Sequence, residues 1–317
     1  MFDVVTLGEL LIDFTPVGNL FEPNPGGGAA NVAVAAQKLG AKAGFIGKVG
    51  RDQFGKFLIS VLKENSVETK GVVVSDEFNT TLAFVHLDEA GDRSFSFYRT
   101  LTADAMLAPE EVNLKLIDET KIFHFTALSM TTPCGKEATL KAVEYARQKG
   151  KIISYDPNWR PFLWKDEKEA VALMKENLSL CNIVKISDEE LLLLTGQADV
   201  EAGSEKLLEM GVSLVLVTLG KLGCYYRFQN GAGRLDTYDT KVVDTTGCGD
   251  TFLGAVLTHV SRFGAISDIS QDEMESILDY ANAAGSLCAT KRGGMSAMPT
   301  PDEVARCIKD VPLLVVS

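Results

Sequence analysis

The chain has 317 residues, of which 46% are apolar, and a formal net charge of −12. That length and apolar content can bury a large core and suit one α/β unit with an appended element. The acidic balance argues against a nucleic-acid or anionic-membrane surface, which needs clustered Lys and Arg, so any polyphosphate ligand must be held by local groups.

In chain order, MFDVVTLGELL carries an acid at Asp3, no basic leader and no small-residue cleavage site, and reads as a buried first strand. Residues 13–28, DFTPVGNLFEPNPGGG, have strand and turn signals without a helix. GGGAAN at 26–31 then opens a small-residue helix that ends at Gly40, and AGFIGKVG at 43–50 is a strand. From Asp52 to Asn65, Phe54, Phe57, Leu58, Val61 and Leu62 form one apolar helical stripe behind an Asp52 cap. Residues 81–99 read as a hairpin around the polar turn DEAGD. KIFHFTA at 121, KIISYD at 151, NIVKIS at 182 and SLVLVTLG at 213 are apolar almost throughout, as strands covered on both faces are. Between the first two, a helix runs from Pro133 to Lys149 and stops at Gly150. The alternation predicts a largely parallel sheet with helices on both faces. The two β-rich interruptions, at about 13–25 and 72–100, read as a small discontinuous lid on a single domain spanning 1–317.

The most informative motif is DTTGCGD at 244–250, which runs directly into the helical pattern TFLGAVLTHV. Gly247, Cys248 and Gly249 can turn first-turn N–H groups toward an anion, and the helix dipole favours negative charge there. A carboxylate is a poor neighbour for a phosphate unless it takes the proton from an attacking hydroxyl, so Asp250 points to kinase chemistry. A tight turn with a solvated first-turn acid is the plainer alternative.

Other motifs also admit two readings. The glycines before Asn31 permit a backbone-lined pocket for a polyhydroxyl ligand, or close packing of helix on strand. Asp13 can accept adjacent sugar hydroxyls or cap a turn. DPNWRPFLW at 156–164 follows a strand, and its prolines hold Arg160 either for a transferring phosphate or for a surface carboxylate. TLGKLG at 218–223 can contact nucleotide phosphates or form a plain turn. GRDQFGKF at 50–57 has Phe57 where a P-loop needs a hydroxyl, and Asn31 holds the last glycine position of a dinucleotide fingerprint, so both of those motifs are rejected. Six cysteines without CxxC or disulfide-like spacing suit a reducing cytoplasm, three dispersed histidines argue against zinc, and no apolar run is long enough to span a bilayer.

With GELLIDFTP, PGGGAANVAVAAQKLG, FIGKVGRDQFG, FSFYR, ISYDPNWRPFLW, KISDEELLLLTG, VTLGKLGC, DTTGCGDTF and ATKRGGMSAMPTP in order, the chain resembles the ribokinase-like (PfkB) carbohydrate kinases over its whole length, most of all the fructokinases. The resemblance implies a three-layer α/β/α fold with a mostly parallel central sheet and a β lid. It also implies transfer of a phosphoryl group from Mg-ATP to the C6 hydroxyl of D-fructose, with a 2-keto-3-deoxygluconate kinase as the alternative in the family and a non-catalytic sensor outside it. On that resemblance Asp250 is the base, residues 247–249 the anion hole, Asp13, Gly27, Gly28 and Asn31 sugar-binding positions, and Arg99 and Arg160 face substrate and phosphate. Glu190, in SDEE with Ser187 at the position the family's motif gives to Asn, helps organise metal and phosphates. Lys185, Thr218, Gly220, Gly223 and Asn282 lie on the nucleotide side. Asp244, Thr246, Ala289, Arg292 and Gly294 belong to a monovalent-cation site for K+, and the lid implies a homodimer. Cys248 stands in place of the usual Ala, and a thiol at a helix N-terminus is expected to ionise and oxidise more readily than a free one.

Overall fold

The computed structural model describes residues 1–87 and 93–315. Strand β1 (Phe2–Leu7) leads into a hairpin, β2 (Leu11–Val17) and β3 (Leu20–Gly26), and then into helix α1 (Gly28–Lys38). Strand β4 (Ala43–Gly50), helix α2 (Gln53–Glu64) and strand β5 (Glu68–Ser75) precede a second hairpin, β6 (Leu82–Leu87) and β7 (Arg93–Tyr98). Helices and strands then alternate through α3 (Leu114–Asp118), β8 (Thr120–Thr126), α4 (Pro133–Gln148), β9 (Ile152–Asp156), α5 (Glu167–Leu178), β10 (Ile183–Ser187), α6 (Asp188–Thr195), α7 (Val200–Glu209) and β11 (Leu214–Thr218). A third hairpin, β12 (Cys224–Phe228) and β13 (Gly231–Leu235), is followed by α8 (Cys248–Val260), α9 (Gln271–Cys288), α10 (Gly294–Ala297) and α11 (Pro301–Asp310).

The main sheet runs β13-β12-β11-β10-β9-β8-β1-β4-β5, parallel from β11 to β5, with β12 and β13 antiparallel at one edge. Period-two alternation sorts its apolar residues onto two buried faces. Phe123, Phe125, Ile153, Val184 and Val215 pack with Ala138, Ala142, Met174, Leu191 and Leu207 of α4 to α7. Val4, Ile122, Ile183, Leu214 and Leu216 pack with Val32 and Ala36 of α1 and with α8 and α9. This is the expected α/β/α sandwich. Among the described residues no helix is long and apolar enough to cross a membrane.

The lid is a separate four-stranded sheet, β3-β2-β6-β7, in which β2 pairs with β6 in parallel and each hairpin pairs with itself. The expected turn DEAGD lies outside the described residues. Two sequence expectations need correction. Residues 72–75 belong to β5, bonded to β4 at the edge of the main sheet, so the second lid segment begins at Leu82. In α2, Asp52 caps the helix by accepting from the Gly55 amide, but Phe57 is 39% exposed, because the core-facing stripe needs only Leu58 and Leu62 at that depth.

Helices α1 and α8 lie against each other across small residues. A β-carbon on Gly254 would come within 2.5 Å of the Ala35 β-carbon and 3.0 Å of the Ala36 nitrogen. That close approach brings the N-termini of the two helices together over the carboxyl end of β1, the edge at which open α/β sheets bind ligands.

Candidate active site

Register lines up the carboxyl ends of the central strands. Leu7 pairs with Phe125, Thr126 with Asp156, and Ser187 with Thr218. Over this edge and under the lid opens a cleft of about 400 Å³ that is lined by Glu9, Asp13, Gly27, Gly28, Asn31, Phe97, Asn158, Arg160, Lys185, Glu190, Thr246, Gly247, Gly249 and Asp250. A larger cavity of about 800 Å³ opens at the amino ends of β9 to β11, around Arg147, Lys151 and Asn182. No carboxylate lines that larger cavity, so acid–base chemistry belongs to the smaller one.

At the cleft, Gly247 is the N-cap of α8 with φ of +77°, a left-handed conformation that suits glycine, and its Cα side abuts Gly294. Asp250 is the third residue of the helix, and its Oδ2 accepts a 2.8 Å hydrogen bond from the Asn31 side-chain amide of α1. The other polar atom of that amide, Asn31 Oδ1, is buried without a partner. Burial raises the Asp250 carboxyl to about 6; Lys185 and the Asn31 bond pull it down, while Asp156 and Glu9 push it up. Asp13, across the cleft on β2, is raised to about 7 by burial, against Arg160 and with Asp250 and Glu9.

Below them a cation is fixed rather than free. Lys185 Nζ lies 2.9 Å from Asp156 Oδ2, and a β-carbon at Gly249 would approach that Nζ to 3.1 Å. Burial disfavours the ammonium, yet Asp156, Glu190 and Asp250 together hold its proton above the ordinary lysine range. Glu190 closes a capping box with Ser187, and its Oε1 accepts the Trp159 amide at 2.6 Å. Asp156 Oδ1 accepts the Asn158 amide at 2.9 Å. The turn that leads into Arg160 is therefore held at Asn158 and Trp159, the two residues before it.

The two loops expected to hold a monovalent cation also meet. Asp244 accepts the amides of Thr246 at 2.8 Å and Gly293 at 3.1 Å, and the Ala289 carbonyl accepts those of Val243 and Asp244. Arg292 is exposed, and its carbonyl accepts the Ser296 hydroxyl at 3.4 Å.

Several expectations fail or change. Arg99 does not line the cleft. Its guanidinium is buried and bonded to Asp104, Thr131 and the Leu128 carbonyl, so it ties the lid stem to the main domain. Asn282 is likewise buried, and its amide donates to the carbonyls of Leu235 and Asp236 at the end of β13. The Cys248 amide donates to the Thr245 carbonyl at 3.3 Å, which leaves Gly247 and Gly249 as the amides of the triplet that line the cleft. The Cys248 thiol is not activated. Its hydrogen bond with Cys288, then burial and the nearby Asp244 and Asp250, push its ionisation up, and Cys288 is the lowered member of the pair. Thr218, Gly220 and Gly223 lie at the same sheet edge but do not line this cleft. Sequence reasoning assigned nothing to Glu9, Asp156 or Asn158, although all three stand in quoted motifs directly after strand-like runs.

A cleft of this kind, with a buried acid at a helix N-terminus beneath a lid, can take a proton from a hydroxyl beside a bound anion. The model of the pfkB family carbohydrate kinases matches residues 1–301. The chain is 39% identical over 315 residues to "Probable fructokinase-4" of Arabidopsis thaliana, covering 96% of each. Among solved structures it resembles fructokinase with bound ATP from Xylella fastidiosa, with a TM-score of 0.91, 34% identity and coverage of 98% of this chain and 99% of that one. It also resembles a double mutant of fructokinase from Vibrio cholerae O395 in fructose, ADP and potassium ion bound form, with a TM-score of 0.88, 29% identity and coverage of 96% and 98%. The chain belongs to the pfkB family of carbohydrate kinases.

The raised carboxyls make a pH prediction. A base must be ionised to act, so a group titrating near 6 loses activity as pH falls through that value. With Asp13 titrating near 7 in the same cleft, kcat/KM for the sugar should fall between pH 7 and pH 6 and continue downward below 6. A profile that stays flat down to pH 5, measured at constant ionic strength, would contradict these assignments.

Proposed function

We propose that this kinase transfers the γ-phosphoryl group of Mg-ATP to the C6 hydroxyl of D-fructose, giving fructose 6-phosphate. One observation carries the reading: the buried Asp250 carboxylate, raised to about 6, stands on the same helical turn as the cleft-lining glycines 247 and 249. In this account Asp250 takes the proton from the sugar hydroxyl as it attacks. The Gly247 and Gly249 amides, with the α8 dipole and Arg160, hold the charge that develops on the transferring group. Asp13 accepts sugar hydroxyls, and the unpartnered Asn31 Oδ1 accepts another. Closure of the lid keeps water from the phosphate.

Among the described residues no group of three or more acidic, His or Cys side chains gathers to hold a metal. Magnesium would enter on the nucleotide phosphates and meet Glu190 at the cleft wall, where it supplies charge neutralisation. A monovalent cation such as K+ would sit between Asp244, Thr246 and the 289–294 loop, and that loop meets the anion-hole turn where Gly294 abuts Gly247.

A neutral ketohexose is favoured over 2-keto-3-deoxygluconate. A sugar acid needs a cation for its carboxylate; Arg99 is committed to Asp104 and Lys185 to Asp156, and the remaining cleft cation, Arg160, serves the transferring phosphate. ADP release with fructose, ribose, glucose and 2-keto-3-deoxygluconate should show the highest kcat/KM for fructose, and a preference for the sugar acid would reverse that choice. Asp250→Ala should lower kcat by about 10²-fold to 10⁴-fold while fructose binding stays measurable by calorimetry. Near-normal turnover would remove Asp250 from the base role.

The same reading includes a homodimer joined through the outer lid face. Phe14 stacks on Phe84, with Phe21 and Tyr98 at its edges, and Leu20, Phe21 and Tyr98 are 75%, 43% and 65% exposed. An apolar face of that kind marks an interaction surface. Sedimentation velocity should report a dimer that Leu20→Glu with Tyr98→Glu converts to monomer; a monomeric wild type would contradict it.

A further inference from the structure

Helix α1 begins without a cap of its own. Its N-cap, Gly27, has no side chain, and no acidic residue stands in its first turn. Orphaned first-turn amides need an acceptor, and here it comes from another element. Glu9, in the segment between β1 and β2, is 1% exposed, and its Oε1 accepts the Gly28 amide at 2.6 Å. Its Oε2 accepts the Thr126 hydroxyl, at the carboxyl end of β8, at 2.7 Å. The Glu9 carboxylate therefore clamps the first residue of α1 to the central strands. One helical turn further on is Asn31, whose amide reaches Asp250.

We infer that Glu9 is a positioning residue for phosphoryl transfer: it fixes the N-terminus of α1 where Asn31 can orient the Asp250 carboxylate. The inference rests on the reading of Asp250 as base. The chain of contact is short and specific, running from Thr126 and Glu9 to the Gly28 amide, through the first turn of α1, and from Asn31 to Asp250. Glu9 lines the cleft wall but is only 1% exposed, and its two carboxylate oxygens face the protein, so it acts through α1 rather than on substrate. The packing of α1 on α8 at Gly254 lies further along the helix, at Ala35 and Ala36, while in the first turn the Thr6 hydroxyl donates to the Ala29 carbonyl at 2.8 Å. The Glu9 clamp adds the acceptor that the Gly28 amide needs.

Glu9→Met fills the volume and removes the acceptor, whereas Glu9→Gln keeps an oxygen for Gly28 and a donor for Thr126. With whichever of the four sugars the wild type turns over fastest, Glu9→Met should lower kcat by about 10-fold to 10²-fold with KM for Mg-ATP unchanged. Glu9→Gln should restore most of the loss. Combined with Asn31→Ala, Glu9→Met should be about as slow as the slower single variant, because both act on one carboxylate. Near-normal kcat in Glu9→Met, a Gln variant as slow as Met, or losses that multiply in the double variant would each overturn the proposal. If Glu9→Met does not fold, Thr126→Val decides: a lower kcat at unchanged KM for Mg-ATP supports the clamp, and an unchanged kcat refutes it. Asp250→Ala in the same assay separates the two readings, since a slow Asp250→Ala beside a normal Glu9→Met sinks the positioning role alone.

Discussion

The 2.8 Å hydrogen bond from Asn31 to Asp250 joins residues 219 positions apart and is the contact around which the site is organised. It exists because two helices that flank the sheet on one face can approach through alanine and glycine, with Gly254 against Ala35 and Ala36. Larger residues along that seam would push the helices apart, and the two N-termini would no longer share one cleft. The two helix dipoles both direct positive potential toward the carboxyl edge of the sheet, so the fold supplies anion stabilisation in a chain whose overall charge is strongly negative.

The cleft works by opposing electrostatic demands. Glu9, Asp13, Glu190 and Asp250 line it with Arg160 and Lys185 as cations; burial raises Asp13 and Asp250, Glu9 adds to both, and Asp250 adds to Asp13. Lys185 offsets part of this by sitting between Asp156 and Asp250, and its proton is held tightly in return. The result is an Asp250 carboxyl raised to about 6 instead of its ordinary value, which suits the base role proposed for it. A nucleotide would bring phosphate negative charge into the same cleft, offset only in part by its metal, and shift that balance again on binding.

Much of this was legible in the chain itself. The apolar runs at 121, 151, 182 and 213 became β8, β9, β10 and β11, because residues buried on both faces have no reason to alternate with polar ones. DTTGCGD read as an anion-binding helix start, and ten of the assigned positions, including Asp13, Asn31 and Arg160, line one cleft with Asp250. Local sequence could not reveal what a side chain already holds. Arg99 carries the right charge at the right place in the chain, but Asp104, five residues on, takes its guanidinium. Asn282 is polar on a helix near the site, and nothing in its neighbourhood in sequence shows that strand-end carbonyls claim it. Glu9 was overlooked for the converse reason, since its partners at Gly28 and Thr126 are 19 and 117 residues away. The edge strand β5 was absorbed into the lid because its pairing with β4 is a tertiary fact.

A crystal structure with fructose and a non-hydrolysable ATP analogue tests the central claim most directly. The account predicts an Asp250 carboxylate oxygen within about 2.6–3.2 Å of the sugar's C6 hydroxyl, with the terminal phosphate against the Gly247 and Gly249 amides. A sugar whose C6 hydroxyl points away from Asp250, or a terminal phosphate bound elsewhere than the α8 N-terminus, would contradict it.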